Sequence, residues 1–494
     1  MSLQSTGHDV RLLTRPYVKA LARTVGVALL LPLLSSTAEA AGLYTADRGV
    51  RPLGRGGAFV AGADDLGAIW YNPAGLADAG TSLLLDLSWM SFSSEYKRRT
   101  NVTDAGGTVR TYDYPKVDGT TPFIPIPTIA GSYAFGDKKQ FTAAFGIFAP
   151  YTAIASYPLT VDGQPSPSRY SLVSLDGSAL VVTGAYIAYK PIEQVRIGLG
   201  LQALVGTFKS RVVFSASPPD RLISAPEDPT YDSLSQLNVG PIIAPSGNFG
   251  VIAAPEKHVR FGVSAQLPFW INAPAKILVR LPTAAVFDRA YQDGEDARVR
   301  FRLPPVVRFG AEYRTDVAPD STLRAEIAYV REFWSMHDSI DIRPDNVKLY
   351  DITGFPSPFG VAPISLPRRF QDSNSFRGGV EYSTKSIFKS NRTDLRAGLS
   401  YETSAIPPEW VSPLTYDANK VIGGIGASLH AGENWRLDAV GSLVVLASTT
   451  VAPEAAQVPR VNPVQGNPTK TEAINGGEYS ARAIILGVGA QYKF

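Results

Sequence analysis

The sequence predicts an all-β protein: a transmembrane antiparallel β-barrel of about 14 strands with an N-terminal plug, or hatch, in its lumen. Three observations lead to this prediction. The chain starts with an export signal, its later segments alternate apolar and polar residues with a period of two, and its short connections alternate with long ones. No later segment is an apolar run of the roughly 20 residues that a membrane-spanning helix needs. We therefore expect strands to make any membrane crossing.

The start of the chain has the pattern of a signal peptide. Basic residues between Arg11 and Arg23 precede a short apolar run at 25–34, and Ala38-Glu39-Ala40 provides the small residues of a cleavage site. The apolar run is too short for a membrane anchor. We predict three regions and a place in the outer membrane of a Gram-negative type of bacterium after cleavage. The regions are a signal peptide (1–40), a hatch segment (41–80) and an outer-membrane β-barrel (81–494).

Composition argues against several other classes of protein. The formal net charge is +3, which gives little attraction for nucleic acid or for an anionic membrane surface. The chain has no cysteine, so it has no disulfide, no thiolate metal site and no cysteine nucleophile. Metal-ligand spacing and a phosphate-binding loop are also missing from the sequence. We expect no cofactor, no metal and no nucleic-acid partner.

The C-terminal segment has the clearest strand pattern. Ile484, Leu486 and Val488 fall on one face, and the other face has small residues and Gln491. The first face suits lipid and the second suits a crowded or wet lumen. The chain stops at Phe494, and a terminal aromatic residue after such a strand resembles the signal read by the barrel assembly machinery.

Charged residues recur on the polar faces of the later strands. In a soluble sheet they would form a solvated face, and a second sheet would have to cover each apolar face. In a barrel they would form a network of paired charges in the lumen, where partners and water are available. The export signal and the terminal Phe494 favour the barrel. The predicted network consists of Arg308, Glu312, Arg324, Glu326, Arg377, Glu381 and Arg396.

The connections alternate in length, as they do in an even-stranded outer-membrane barrel with both termini on the periplasmic side. Short turns fall at 136–138, 191–192, 255–257, 314–321, 384–391 and 431–433. Long segments rich in Pro, Ser and Asp lie between them, as expected for surface loops. The predicted strands are 81–92, 128–136, 139–149, 178–190, 193–208, 235–254, 257–281, 296–314, 320–334, 373–384, 391–403, 419–430, 433–447 and 480–494.

The stretch GRGGAFVAGADDLGAIWYNPAGLA, at 54–77, precedes the first predicted strand. A barrel of about 14 strands has a lumen too wide for its own side chains, since about eight strands suffice for that. The small residues of the stretch allow close packing in a tube, and its glycines permit tight bends. Asp64 and Asp65 could pair with luminal arginines, and the apolar and aromatic content argues against a disordered tail. We therefore predict that this stretch is a plug.

Seven segments of the chain match a pattern known from one family of proteins. They are the hatch stretch with its Asn-Pro-Ala turn, FTAAFGIFAPYTAIASYP, SRYSLVSLDGSALVVTGAYIAYKP, RFGVSAQLPF, LPPVVRFGAEYRT, LRAGLSYETSAIPPEW and the terminal YKF. In these segments the chain resembles the FadL/TodX family of outer-membrane transporters for long-chain fatty acids and other hydrophobic compounds. The resemblance covers nearly the whole mature chain, and it implies a monomer surrounded by outer-membrane lipid.

The resemblance also implies a gate. In that family the hatch closes the lumen, and a kink in the third strand opens a hole in the barrel wall. By resemblance, Asn72, Pro73 and Ala74 would lie against that kink. Gly146 has no side chain to hold the ladder and Pro150 has no donor, so both could mark a break, although Pro150 could equally just end the strand.

The expected cargo is a hydrophobic small molecule, either a fatty acid or an aromatic hydrocarbon. It would first meet apolar residues of the external loops, then enter a pocket above the plug, and leave sideways into the membrane after a shift of the hatch. Burial of roughly 0.8 kcal/mol per CH₂ is enough to drive this passive transport. The predicted entry residues are Phe214, Leu222, Ile223 and Phe287.

Three other functions stay open at this point. A non-specific porin would need an open lumen, and the hatch stretch argues against it. An outer-membrane scaffold or secretion-system shuttle of the same fold is compatible with the sequence. A barrel hydrolase would need a nucleophile beside a base, but His258, His337 and His430 fall in no recognisable catalytic pattern. We therefore predict that the protein is not an enzyme and has no catalytic residues.

Overall fold

The computed structural model describes residues 47–103, 106–121, 125–149, 155–216, 227–388, 391–462 and 473–494. The predicted signal peptide lies outside these ranges, as do three predicted site residues, Pro150, Leu222 and Ile223. No helix of the described ranges has the length and apolar character needed to cross a membrane.

The described chain is mostly β-structure. Three short helices lie in the hatch segment: α1 (Val50–Gly54), α2 (Ala68–Tyr71) and a 3₁₀ helix at Pro73–Asp78. The strands are β1 (Ser82–Thr103), β2 (Val109–Thr120), β3 (Pro125–Phe135), β4 (Phe141–Phe148), β5 (Thr160–Val161), β6 (Gln164–Pro165), β7 (Ala179–Ile192), β8 (Val195–Ser215), β9 (Asp232–Glu256), β10 (Val259–Gln266), β11 (Phe269–Arg280), β12 (Tyr291–Asp293), β13 (Asp296–Leu303), β14 (Val306–Ala318), β15 (Ser321–Glu332), β16 (Ser339–Pro344), β17 (Lys348–Tyr350), β18 (Phe359–Gly360), β19 (Ile364–Pro367), β20 (Ser373–Phe388), β21 (Asn391–Glu402), β22 (Lys420–Ala431), β23 (Trp435–Leu446), β24 (Thr449–Val451) and β25 (Gly477–Lys493). Further 3₁₀ helices lie at Pro229–Tyr231, Ala285–Phe287, Trp334–Met336 and Pro408–Trp410.

The strands close into an antiparallel barrel with 14 positions, which confirms the predicted fold class. β25 pairs with β1 from Lys493↔Ser82 to Gly477↔Arg98, and this pairing closes the wall. The positions in order are β1, β3, β4, β7, β8, β9, β10 with β11, β14 with β13, β15, β20, β21, β22, β23 and β25.

Two positions that the sequence analysis predicts as single strands are each made of two. The segment predicted at 257–281 breaks at Pro268 into β10 and β11, and the one at 296–314 breaks at Pro304-Pro305 into β13 and β14. Proline has no backbone N–H, so the ladder cannot continue through these points.

Several strands are longer than predicted. β1 continues beyond residue 92 to Thr103 and pairs there with β2, and β8 runs on to Ser215. An antiparallel ladder outside the lipid can be polar on both faces. The period-two apolar pattern therefore stops where the hydrogen bonding continues, and the sequence analysis assigned these parts to loops.

The two faces of the wall alternate as predicted. On β25, Ile484, Leu486 and Val488 are 49%, 58% and 51% exposed, whereas Ile485 and Gln491 are buried. The outward side chains are apolar and face the lipid, and the inward side chains face the lumen.

Candidate functional site

Residues 47–80 of the hatch segment lie in the lumen. α1 contacts β1, β21, β22, β23 and β25, and the 3₁₀ helix contacts β4, β7, β8 and β9 on the other side. Between them, the backbone at Val60 and Ala61 approaches Gly262 on β10 and Gly310 on β14. Because these contacts come from strands all around a closed wall, the segment occupies the interior of the barrel.

The Asn-Pro-Ala turn joins two parts of the hatch segment and attaches them to the wall. The Asn72 side-chain oxygen accepts a hydrogen bond from the Ala74 N–H at 3.1 Å, and Pro73 takes the first position of the 3₁₀ helix. Asn72 Nδ2 donates to the carbonyl of Val60 at 2.9 Å and to that of Val251 on β9 at 3.3 Å. The turn is therefore a fixed element in this conformation.

Inward-facing glycines of the wall allow the hatch backbone to approach. A Cβ on Gly198, Gly262, Gly398 or Gly424 would lie closer than 3.0 Å to backbone atoms of the hatch segment. The partner of Gly398 is the backbone between Arg55 and Gly56. Any larger side chain at these positions would push the segment off the wall.

Glu381 on β20 binds three arginines, one from the hatch segment and two from the wall. Arg51 of α1 donates to Glu381 through Nη2 at 2.8 Å and Nε at 3.0 Å. Arg324 and Arg396 on the neighbouring strands bind the same carboxylate at 3.2 Å and 2.6 Å. Three guanidinium groups thus share one fully buried acid.

Arg55 and Glu326 form a second attachment. The Arg55 guanidinium lies 3.0 Å from both Glu312 and Glu326. Glu326 also accepts hydrogen bonds from the N–H groups of Val60, Ala61 and Gly62 at 2.6–3.0 Å. A carboxylate that binds three successive backbone donors fixes the path of that turn.

Asp64 and Asp65 pair with luminal arginines, which confirms the prediction made for them. Asp64 lies 2.9 Å from Arg324, and Asp65 lies 2.8 Å from Arg436. Burial raises the pKa of each carboxyl group, but Arg324 and Arg51 beside Asp64, and Arg436 and Arg51 beside Asp65, outweigh it and lower both pKa values. Both groups are therefore ionised at neutral pH.

The remaining members of the predicted charge network also contact the hatch segment. Arg377 on β20 forms an ion pair with Asp47 and lies 3.7 Å from Glu402. The Arg308 guanidinium lies 4.7 Å from the ring centre of Trp70. All seven predicted residues are buried side chains on the luminal face.

A charged cavity of about 580 Å³ lies at the short-turn end of the lumen. Its walls include the Arg51–Asp64 pair of the hatch network and residues next to the short turns, such as Lys257 and Arg392. Basic side chains outnumber acidic ones in this lining. Solvent on this side therefore reaches as far as the ion pairs that hold the hatch segment.

Apolar side chains fill the interior next to the hatch segment. Phe59 and Trp70 of the segment belong to the same buried cluster as wall and loop residues at Phe148, Trp334 and Phe370. The rings of Trp70 and Phe148 pack edge to face with centroids 5.3 Å apart. The hatch segment therefore packs into a continuous apolar interior.

The predicted entry residues that the structure describes, Phe214 and Phe287, lie in two different buried clusters. Phe214 is buried in the interior apolar cluster, and Phe287 is buried in a different cluster with Tyr231, Leu349 and Ile352. Neither side chain is exposed at the surface. Leu222 and Ile223 are outside the described residues.

At the predicted gate, Ile69 and Trp70 of the hatch segment meet the third barrel position, β4, at Gly146 and Phe148. A Cβ on Gly146 would lie closer than 3.0 Å to Ile69 Cδ1. The closest glycine contacts of Asn72 and Pro73 are Gly250 on β9 and Gly198 on β8. β4 ends at Phe148, and Pro150 is outside the described residues.

Arg368 and His337 are buried polar side chains, and the charge of Arg368 acts on the His337 ring; the sequence analysis assigned no role to either. Arg368 Nε and Nη2 have no hydrogen-bond partner among the described residues, and burial lowers the Arg368 pKa to about 10. His337 Nε2 also has no partner there, while Nδ1 lies 2.5 Å from the Arg302 carbonyl. Burial lowers the His337 pKa to about 4; the hydrogen bond with the Arg302 carbonyl opposes this shift, and the nearby Arg368 charge adds to it.

This pair lies at the edge of the interior apolar cluster. The His337 ring centre is 5.1 Å from that of Phe370 and 6.1 Å from that of Trp334. A buried cation without an acid is costly unless a ligand supplies the anion. The Arg-Arg pair at 368–369 in a Pro-rich loop is a weak signal, because the chain has many other arginines.

In the part of the chain that the structure describes, no cluster of His, Asp and Glu side chains could hold a metal ion. His430 lies 2.8 Å from Asp394 beside the basic cavity, and His258 contacts the Arg314 carbonyl at a short turn.

A closed antiparallel barrel of 14 strands with an apolar outer face defines an outer-membrane β-barrel protein. The chain belongs to the OMPP1/FadL/TodX family of outer membrane transport proteins, whose family model matches residues 31–494. This is a family of transporters and not of enzymes. Comparison of the sequence with curated proteins gives no significant match.

Solved structures of the same kind are similar in fold at low sequence identity. A FadL homologue from Pseudomonas aeruginosa is 13% identical, with a TM-score of 0.67 over 92% of this chain and 100% of that chain. The toluene transporter TbuX from Ralstonia pickettii is 16% identical, with a TM-score of 0.54 over 90% and 98%. The toluene transporter TodX from P. putida is 13% identical, with a TM-score of 0.57 over 90% and 98%. At these identities the similarity shows the fold.

Proposed function

We propose that this protein carries hydrophobic molecules, long-chain fatty acids or similar compounds, across the outer membrane by facilitated diffusion. The observation that carries the proposal is the lumen itself. A hatch segment attached to the wall all around fills it, and a buried apolar cluster extends from Phe59 and Trp70 to Trp334 and Phe370. A water-filled pore would need neither feature. The toluene transporters of similar fold support a hydrophobic cargo.

The hatch segment acts as the plug, and its movement controls passage. Its attachments are ion pairs and close glycine contacts, which hold one position without covalent bonds. Transfer of a long acyl chain from water into the apolar interior is favourable by roughly 0.8 kcal/mol per CH₂. No other energy source is needed, and the protein works as a monomer without catalysis.

Exit is sideways, into the outer-membrane lipid, after a shift of the hatch segment. A gate at the third barrel position stays a prediction, and the packing of Ile69 against Gly146 is the observation that supports it. Phe494 is 72% exposed at the end of β25, where the barrel assembly machinery can reach it.

Uptake tests the proposed function. The full chain is produced in a host that lacks its own transporter of this kind, and entry of a labelled long-chain fatty acid is compared with entry of a small sugar. We expect the fatty acid to enter and the sugar to stay out. Sugar entry would show an open pore, and entry of neither compound would favour a scaffold or shuttle.

Arg368 supports an acid over a neutral hydrocarbon as cargo. We expect Arg368→Met to raise the fatty acid concentration for half-maximal uptake about tenfold or more, since a hydrogen bond to a charged group contributes about 1.5–3 kcal/mol. Uptake of toluene should not change, because it has no anion to bind. The measurement is concentration-dependent uptake of both compounds by the same cells.

Arg369→Met is the matched control, because Arg369 is the exposed neighbour of the buried Arg368. It should leave both uptake curves unchanged. Equal effects of Arg368→Met on the fatty acid and on toluene would contradict the role of Arg368 as an anion site.

A further inference from the structure

The hydrogen-bond ladder of the barrel wall is interrupted between β9 and the next position. β9 pairs with β10 as far as Asn248↔Gln266 and with β11 from Val239↔Ala275 onward. Residues 240–247 and 267–274, which face each other between these points, form no ladder pair. On its other side, β9 stays paired with β8 through residues 242–247. We call the unpaired stretch between β9 and β11 the seam.

In the seam, the inward-facing side chains of β9 and of the facing chain do not lie opposite each other in the register of the neighbouring ladders. In β9 the buried side chains change from odd to even positions between Val239 and Ile242, at Gly240, whose φ is +143°. In the facing chain they change from even to odd between Gln266 and Phe269, at Pro268. One irregularity lies at each end of the seam, so the strands are displaced by one residue between them. Such a displacement prevents a regular ladder.

Prolines remove half of the donors that could still bridge the seam. Leu267 N–H donates to the Gly247 carbonyl at 2.8 Å, so by alternation residues 241, 243 and 245 of β9 face β11. Ile277 N–H donates to the Glu295 carbonyl on the opposite side at 2.7 Å, so residues 270, 272 and 274 of β11 face β9. Three of these six positions are Pro241, Pro245 and Pro274. The seam is therefore weak in both register and donors.

Apolar side chains lie on both faces of the seam. Neither 240–247 nor 267–274 has a charged residue. Ile243 and Trp270 point outward and are 71% and 54% exposed. The inward residues belong to the same buried cluster as Phe59 and Trp70 of the hatch segment; they are Ile242, Ala244, Phe269, Ile271 and Ala273.

The hatch segment is attached to both strands directly below the seam. Asn248 Nδ2 on β9 donates to the Ile69 carbonyl at 2.9 Å, and the Ser264 hydroxyl on β10 donates to the Tyr71 carbonyl at 2.6 Å. A shift of residues 69–72 would release these two strands at the lower edge of the seam. Movement of the plug and opening of the seam are thus mechanically linked.

We propose that the seam is a lateral outlet of the barrel, separate from the third position, through which a hydrophobic molecule passes from the interior into the outer-membrane lipid. This inference rests on the proposed function. It assigns the outlet to the β9–β11 contact, where the two facing stretches have few hydrogen bonds between them, no charged residue of their own and mostly apolar side chains on both faces.

A reversible lock across the seam tests the proposal. The chain has no cysteine, so Ile243→Cys with Trp270→Cys can be bridged in the full-length protein by a short bis-methanethiosulfonate. We expect bridging to lower fatty acid uptake about threefold or more, since blocking a conformational step limits the rate. Reduction of the bridge should restore uptake.

The matched control is Val205→Cys with Ile243→Cys, which bridges β9 to β8 where Val205 and Ile243 are directly paired. Bridging there should not change uptake. Unchanged uptake with the seam bridged would overturn the outlet while the proposed function stands, and an unmodified barrel that takes up no hydrophobic compound would overturn both.

Pro245→Val with Pro274→Val gives a second test without cysteines. It restores two donors and should lower uptake, and unchanged uptake in this variant would also overturn the outlet.

Discussion

Replacing Gly398 with valine is expected to displace the hatch segment and open the lumen to small ions. A Cβ at this position would overlap the backbone at Arg55 and Gly56, which cannot rotate away as a side chain can. Overpacking of this kind costs about 1–3 kcal/mol, which would raise the population of displaced hatch about 5- to 150-fold. Single-channel conductance in planar bilayers measures the result directly.

Gly423→Val is the control for this variant. Gly423 lies on the neighbouring strand β22, and a Cβ there would meet nothing within 4 Å. It should leave both conductance and barrel stability unchanged. A closed, non-conducting Gly398→Val barrel would show that the hatch segment does not depend on this contact, and would weaken its assignment as a tightly seated plug.

Glu381→Gln is expected to destabilise the folded protein more than any other single change in the charge network. The substitution keeps the shape of the side chain, but it leaves the charges of Arg51, Arg324 and Arg396 without their shared acid. Breaking a buried ion pair by removing one partner costs about 3–5 kcal/mol. The folded and the unfolded barrel differ in electrophoretic mobility, and the temperature at which the mobility changes should fall clearly. Ion conductance should rise, because α1 is held less firmly against the wall.

Glu95→Gln provides the comparison, because Glu95 pairs with Lys116 at 3.3 Å and both side chains are about half exposed. An exposed pair contributes only about 0–1 kcal/mol, so this variant should unfold at nearly the same temperature as the unchanged protein. If Glu381→Gln matched it, the luminal ion pairs would not be what holds the hatch segment.

Period-two alternation placed Arg324 and Glu381 on the polar faces of their strands, and the export signal and the terminal Phe494 favoured a lumen over a solvated face. In the structure both side chains are buried and lie opposite each other in the β15–β20 register. Alternation is local, since each side chain's face follows from its neighbours along the strand. The same local signal did not reveal the full length of β1 and β8, because their outer parts are polar on both faces.

The partners of the luminal charges could not be predicted in the same way. The sequence analysis expected Asp64 and Asp65 to meet luminal arginines, which is confirmed, but it assigned no role to Arg51 and Arg55. These two arginines pair with Glu381 and with Glu312 and Glu326, more than 250 residues away in the chain. Such pairs depend on how the hatch segment is seated, which no short-range pattern encodes.

The sequence by itself therefore determined the barrel, its number of strands and the alternation of apolar and polar faces along them, because these follow from the export signal and from a local pattern that repeats along the chain. Only the tertiary structure decided which wall glycines receive the hatch backbone, that Arg368 is buried without an acid among the described residues, and that β9 and β11 are out of phase. These features arise when the barrel closes, because closure fixes the register of distant strands and the space that each side chain has left.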